Sequence, residues 1–155
     1  LHLSLRRQRQ MCIRDSLGVV FKSSDVRHVE GPLSRKIALS HNRPPAVAKY
    51  VAEKMDFEAV GIGSAGAKAM HVLLGDYDAY IHAGGQYEWD QAAPVGVAKA
   101  AGLHATRLDG TEVRFNNEDT YVPDLLICRP ELADEILEHA AAYKEEHGSY
   151  EGIAK

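Results

Sequence analysis

Gln86-Tyr87-Glu88-Trp89-Asp90-Gln91-Ala92-Ala93-Pro94 separates a β-prone run, Ala79-Tyr80-Ile81-His82-Ala83, from an alanine-rich stretch that closes at Gly102. The order of strand, polar corner and helix places Asp90 beside the first turn of that helix. A carboxylate there can accept free backbone N–H groups and is favoured by the helix dipole. It also projects into a cleft beyond a strand end, where a hard cation such as Mg²⁺ takes oxygen ligands. Position alone does not separate the cap from the ligand.

Working upstream, Phe57 to Ile62 predicts a strand, and Ser64 to Leu74 a helix of good formers closed by Gly75. Ahead of these, Ile37-Ala38-Leu39-Ser40 predicts a strand, and His41-Asn42-Arg43-Pro44-Pro45 a corner. Pro45 suits the first turn of a helix over 46–54, whose Val47, Val51 and Met55 form an apolar stripe for packing on a sheet. Leu17 to Phe21 is a further β-prone run, and Ser23 to Pro32 a polar loop. Downstream, His104 to Leu108 and Val113 to Phe115 predict a hairpin turning at Asp109-Gly110. Leu125 to Cys128 predicts a buried strand. Pro130 to Tyr143 predicts an amphipathic helix with Leu132, Ile136, Leu137 and Ala140 inward. The polar tail from Glu145 is expected to fray. Alternating strands and helices imply an α/β fold with a mixed sheet covered by helices.

Trp89-Asp90-x-Ala92-Ala93 followed by a helix ending Ala101-Gly102 resembles the C-terminal signature of the inositol monophosphatase family of Mg²⁺-dependent, lithium-sensitive phosphatases. The runs Ile62 to Met70, Asp78-Ala79-Tyr80, His82 to Gln86 and Pro123 to Leu126 resemble its 3′(2′),5′-bisphosphate nucleotidase branch, which acts on 3′-phosphoadenosine 5′-phosphate. The resemblance spans roughly 17–139. It implies that the chain is the C-terminal part of a layered α-β-α-β-α sandwich, with one face lacking its partner and exposing apolar area. It implies that Asp90 is a catalytic metal ligand. It further implies that Gly63, Ser64, Ala65, Lys68, His82, Ser40 and Arg43 contact the nucleotide, and that the remaining metal ligands lie on upstream acidic segments of a longer protein. Mg²⁺ is the implied cofactor. The implied partners are a small nucleotide and the missing N-terminal half, with no nucleic acid and no membrane. Inositol phosphates or sugar bisphosphates are alternative substrates within the family, and a non-enzymatic anion-binding module is an alternative outside it.

Read without the resemblance, the same residues have plainer roles. Lys68 is a helix lysine on the face of Ser64, four residues on, and His82 a strand histidine. Gly61-x-Gly63-x-x-Gly66 fits a dinucleotide fingerprint, but the strand ending at Ala83-Gly84-Gly85 offers no acid for a ribose. Glycines let backbone approach closely, and a helix start binds anions. Leu108-Asp109-Gly110-Thr111 looks like part of the family's metal motif. It lacks that motif's first Asp and proline and follows the Trp-Asp helix, so it reads as a turn.

Residues 1–16 are expected to lie outside the fold. Arg6 to Asp15 translates CGT CGG CAG CGT CAG ATG TGT ATA AGA GAC, a transposase-based sequencing adapter, and Leu1-His2 fits its outer part. On this reading the domain occupies 17–144 and the natural frame extends upstream. Setting aside Arg6, Arg7, Arg9, Arg14 and Asp15 removes four positive charges and one negative from the formal −4 of the chain, leaving −7. That argues against a polyanion binder while permitting a small basic pocket. Only Cys128 then remains, which excludes a disulfide framework and points to the cytoplasm.

Overall fold

The computed structural model describes residues 27–28 and 30–152; the β-prone run at 17–21 and the adapter-like segment lie outside them. The chain forms β1 (Lys36–Ser40), α1 (Ala46–Lys54), β2 (Glu58–Ile62), α2 (Ala65–Leu73), β3 (Ala79–Tyr87), α3 (Glu88–Ala100), β4 (His104–Thr106), β5 (Tyr121–Cys128) and α4 (Ala133–His147). A 3₁₀ turn, Pro130–Leu132, leads into α4. The strands form one five-stranded sheet in the order β2-β1-β3-β5-β4. β1 runs parallel to β2 and β3, whereas β5 is antiparallel to both β3 and β4.

Strand alternation sends Ile37, Leu39, Ile81, Leu126 and Cys128 to one face, where they pack with Val47 and Val51 of α1 and Ile136 and Ala140 of α4. Ala38, Tyr80, Leu125 and Ile127 face the other way, against Ala69 and Val72 of α2 and Val95 and Ala98 of α3. Two helices therefore cover each face. The open apolar face that the family resemblance implied is absent among the described residues, because this segment carries helices for both sides of its sheet. The large apolar side chains left exposed are Leu33, Leu74, Tyr87, Trp89 and Val97.

Three local expectations change. Asp109-Gly110 makes a turn, with Gly110 at φ 80°, but 113–115 is not a strand. Asp124 takes Arg107 Nε (2.8 Å), Arg107 Nη2 (2.7 Å) and Leu108 N (2.7 Å), drawing the chain after Thr106 away from a hairpin ladder. β4 pairs with β5 instead, and Val113 turns into the core. β3 and β5 are both longer than expected. β3 runs through Gly84-Gly85, where the register shifts between Ala83 and Gln86, and this irregularity lets β5 carry Pro123 without losing a ladder donor. As far as Gly152 the polar tail is held rather than frayed: α4 reaches His147, Gly148 closes it at φ 79°, and Tyr150 is buried.

Candidate functional site

β1, β2 and β3 run parallel, so their carboxyl ends share one rim, and the chain leaves β1 toward opposite sheet neighbours to form β2 and β3. A crevice at such a divergence is where open α/β sheets place ligands. Here a cleft of about 220 Å³ is lined by Ser40 and Arg43 after β1, and by Ser64, Ala65 and Lys68 at the start of α2. His82, Gly84, Gly85 and Gln86 of β3 and Asp90 of α3 complete it. Seven residues proposed from the sequence meet in this space. Gly63 does not line it. Gly84, Gly85 and Gln86 do, although sequence reasoning took the diglycine only as a strand end; Gly-Gly inside a strand pattern is itself the signal of a bulge.

Each side chain is placed by local backbone chemistry. Ser64 caps α2, its Oγ accepting from Ala67 N at 3.3 Å, and adopts φ 62°, ψ 125°, a conformation that non-glycine residues rarely hold. Gly61 permits the close approach behind it: a Cβ there would stand 3.2 Å from His41 Cα. Gly61 thus serves the packing of β2 on the loop after β1, whereas a Cβ on Gly63 would meet nothing within 4 Å. Asp90 is the third residue of α3, and its Oδ2 accepts from Tyr87 N at 3.0 Å, so the cap predicted from position is present. Pro94, inside α3, removes the N–H that the Asp90 carbonyl would otherwise accept. Glu88 fixes the corner from outside, accepting from Asn116 N (2.7 Å), Asn117 N (2.9 Å) and Asn117 Nδ2 (2.7 Å).

The floor of the cleft holds polar groups with too few partners. Lys68 is 3% exposed; its Nζ donates to Ile62 O at 3.3 Å and lies 5.0 Å from the centre of the Tyr80 ring. An ammonium carries three donors, so two find no acceptor among the described residues. Burial pulls its pKa down. His82 is 6% exposed and neither ring nitrogen makes a well-formed hydrogen bond. Burial, and then the Lys68 charge, lowers its pKa to about 4, the Gly84 backbone offering only a weak contact that pulls it back up in part, so the ring is neutral at neutral pH. Beside them Gln86 Nε2 donates to Tyr80 Oη (3.1 Å) and Gln91 Nε2 donates to Gln86 Oε1 (2.9 Å), yet the buried Gln91 Oε1 lacks a donor. Unpaired buried polar groups are costly, and Lys68 and His82, which line the cleft, suit an anionic ligand, whereas the Gln91 oxygen, an acceptor outside the lining, does not.

A metal fits this chain less well. Asp90 is the only carboxylate lining the cleft among the described residues, and one of its oxygens caps α3. Among the described residues, no group of three or more His, Cys, Asp or Glu side chains is placed to hold an ion. One carboxylate does not satisfy the ordered shell that Mg²⁺ demands. A second concavity, about 370 Å³ between Arg107 and Tyr121, has among the described residues no buried side-chain atom left without a partner, and its Arg107 is engaged by Asp124. No helix among the described residues is long and apolar enough to cross a membrane.

The chain is 56% identical over 106 residues to the 3′-phosphoadenosine 5′-phosphate phosphatase of Mycobacterium tuberculosis (strain CDC 1551 / Oshkosh), covering 68% of the chain and 40% of that protein. It is 54% identical over 102 residues to the Mycobacterium leprae protein of the same name, covering 66% of the chain and 38% of the relative. The chain thus spans about 40% of the length of the curated relatives it matches. Among solved structures, inositol monophosphatase from Anabaena (Nostoc) sp. PCC 7120 superposes with a TM-score of 0.59 at 16% identity, covering 76% of this chain and 48% of that one. SaIMPase-II with 2′AMP bound gives a TM-score of 0.58 at 18% identity, covering 79% and 50%. These structures establish the shared fold. The model of the inositol monophosphatase family matches residues 6–146, beginning inside the segment with the adapter-like reading. On that match across most of its length, the chain belongs to the inositol monophosphatase family.

Proposed function

We propose that the chain supplies the phosphate-binding wall and one metal-ligating carboxylate of a Mg²⁺-dependent phosphatase that converts 3′-phosphoadenosine 5′-phosphate to AMP and phosphate. The observation that carries this reading is the meeting of Lys68, Ser64, Arg43, His82 and Asp90 in one cleft. Lys68 and Arg43 neutralise phosphate charge, and free N–H groups at the start of α2 donate to an oxyanion. Neutral His82 donates one hydrogen bond without adding charge. The names of the mycobacterial relatives support a nucleotide over an inositol or sugar phosphate. Asp90 becomes a Mg²⁺ ligand only alongside carboxylates outside this chain, which an acidic partner segment of the whole protein supplies. The buried thiol Cys128 accords with a reducing cytoplasm.

Because the cleft holds a single carboxylate, this chain alone binds nucleotide without turning it over. Calorimetry with adenosine 3′,5′-bisphosphate, paired with a phosphate-release assay in Mg²⁺, tests this: binding without release is expected. Release by this chain that Asp90→Asn abolishes overturns the incomplete-site reading. Binding that Asp90→Asn and added Mg²⁺ both leave unchanged favours an anion-binding module, the reading that the lone carboxylate also supports.

A further inference from the structure

The carboxy-terminal segment passes beside the diglycine at the edge of the same cleft. Since β5 is antiparallel to β3, α4 returns to the rim, and the chain after Gly148 passes beside the strand ends. Two anchors hold it there. Tyr150 Oη donates to Leu108 O at 3.1 Å, and Gly152 O accepts at 2.9 Å from Ala46 N, one of the free donors of the first turn of α1. Between the anchors, Tyr121 Oη donates to Glu151 Oε1 at 2.8 Å and accepts from Gly85 N at 3.1 Å. The glycines bring both charges close to the cleft backbone. A Cβ on Gly84 would meet Glu151 Cγ at 3.8 Å, and one on Gly85 would meet Arg43 Nη1 at 3.4 Å. The rim is polarised across the diglycine, with a guanidinium on one side and a tethered carboxylate on the other.

We propose that Glu151 is a specificity-determining residue of this site. Its carboxylate, held by Tyr121, repels the second anionic group of a phosphorylated ligand from the Gly84 side and leaves the Arg43 side as that group's place. A bisphosphate is then admitted in one orientation, with one phosphate at Lys68 and Ser64 and the other at Arg43. The bisphosphate ligand rests on the nucleotide reading above; the charge argument holds equally for inorganic phosphate. Like charges within a Debye length alter affinity by about three- to tenfold at low salt, and the effect fades as salt screens it.

The test titrates the whole chain, as wild type, Glu151→Gln and Tyr121→Phe, with adenosine 3′,5′-bisphosphate, AMP and inorganic phosphate. Calorimetry is run at about 0.02 M and about 0.5 M salt, which bracket weak and strong screening. Glu151→Gln should tighten bisphosphate about fivefold and the monophosphates about twofold at low salt, with both gains gone at high salt. Tyr121→Phe, which frees the carboxylate without removing it, should give a smaller gain. Unchanged bisphosphate affinity in a Glu151→Gln chain of wild-type circular dichroism overturns the proposal, as does a gain that survives high salt. A wild type that binds phosphate but not the bisphosphate overturns the nucleotide reading instead. Glu151 is then judged on phosphate alone, and a Gln variant that binds it no tighter overturns the proposal too. A wild type that binds none of the three ligands overturns both.

Discussion

The two ends of the sheet use buried polar groups in opposite ways. At the base, Asp78 is fully buried and completely engaged. It accepts from Ser34 N (3.1 Å), Ser34 Oγ (3.0 Å) and Arg35 N (2.6 Å), with Arg129 Nη1 at 3.7 Å. Arg129 in turn donates to Gly31 O at 2.8 Å and Glu131 Oε1 at 2.7 Å. At the rim, His82 makes no well-formed hydrogen bond, Lys68 has one acceptor, and Gln91 Oε1 has no donor. A paired charge inside a protein stabilises its surroundings, whereas an unpaired polar group costs stability that a ligand can return. The base ties the loop at 31–35 to the sheet, whereas the rim leaves Lys68 and His82 short of partners.

This contrast breaks first at Asp78. Asp78→Ala strands Ser34 N, Ser34 Oγ and Arg35 N without their acceptor and removes the longer of the two carboxylate contacts of Arg129, and should cost about 3–5 kcal/mol in urea unfolding. A loss under ~1 kcal/mol, the scale of an exposed pair, removes the claim that the base is a stability knot. Next comes the pH dependence of the rim. The folded pKa of His82, about 4, lies below the ordinary 6.5, so the unfolded chain binds the extra proton in between. The stability this ring contributes is full above pH 6.5 and is lost as pH falls toward 4, on the order of 3 kcal/mol in total. His82→Phe should flatten that slope in thermal melts across the same window; an unaltered slope assigns the acid sensitivity elsewhere.

A sharper separation of binding from stability is expected at Lys68. Lys68→Met keeps the buried stem and removes the desolvated charge, so unfolding free energy should hold or rise by about 1 kcal/mol. Phosphate affinity should fall at least about tenfold, near the strength of one charge-assisted hydrogen bond. A variant that loses stability and keeps phosphate binding would make Lys68 a base-like structural residue. The smallest effect belongs to the tail. Tyr150→Phe removes only the hydrogen bond to Leu108 O and should cost about 1 kcal/mol in the same unfolding assay. Faster amide exchange confined to 148–152 would show the tail unfastening on its own, and no change would mean the hydroxyl does not hold it.

Local sequence carried the elements whose causes are local. Pro45 before Ala46, Ser64 before Ala65, Gly75 after Leu74 and the four-residue spacing of Val47 and Val51 bound the helices where the structure has them. The Trp89-Asp90 corner likewise placed a carboxylate at a helix start and, with the runs around Ser64 and His82, pointed to the family. Tertiary structure decided the rest. Asp109-Gly110 is a sound hairpin signal, but Asp124, fourteen residues beyond Gly110, captured the chain before a ladder could form. Composition made the tail a fraying end, but Leu108 O and Ala46 N were waiting for its polar groups. Whether Lys68 and His82 were solvated or buried, paired or unpaired, could not be read from their neighbours in sequence. Periodicity and capping act within a few residues of chain, whereas satisfaction of a buried polar group depends on which distant segment arrives beside it.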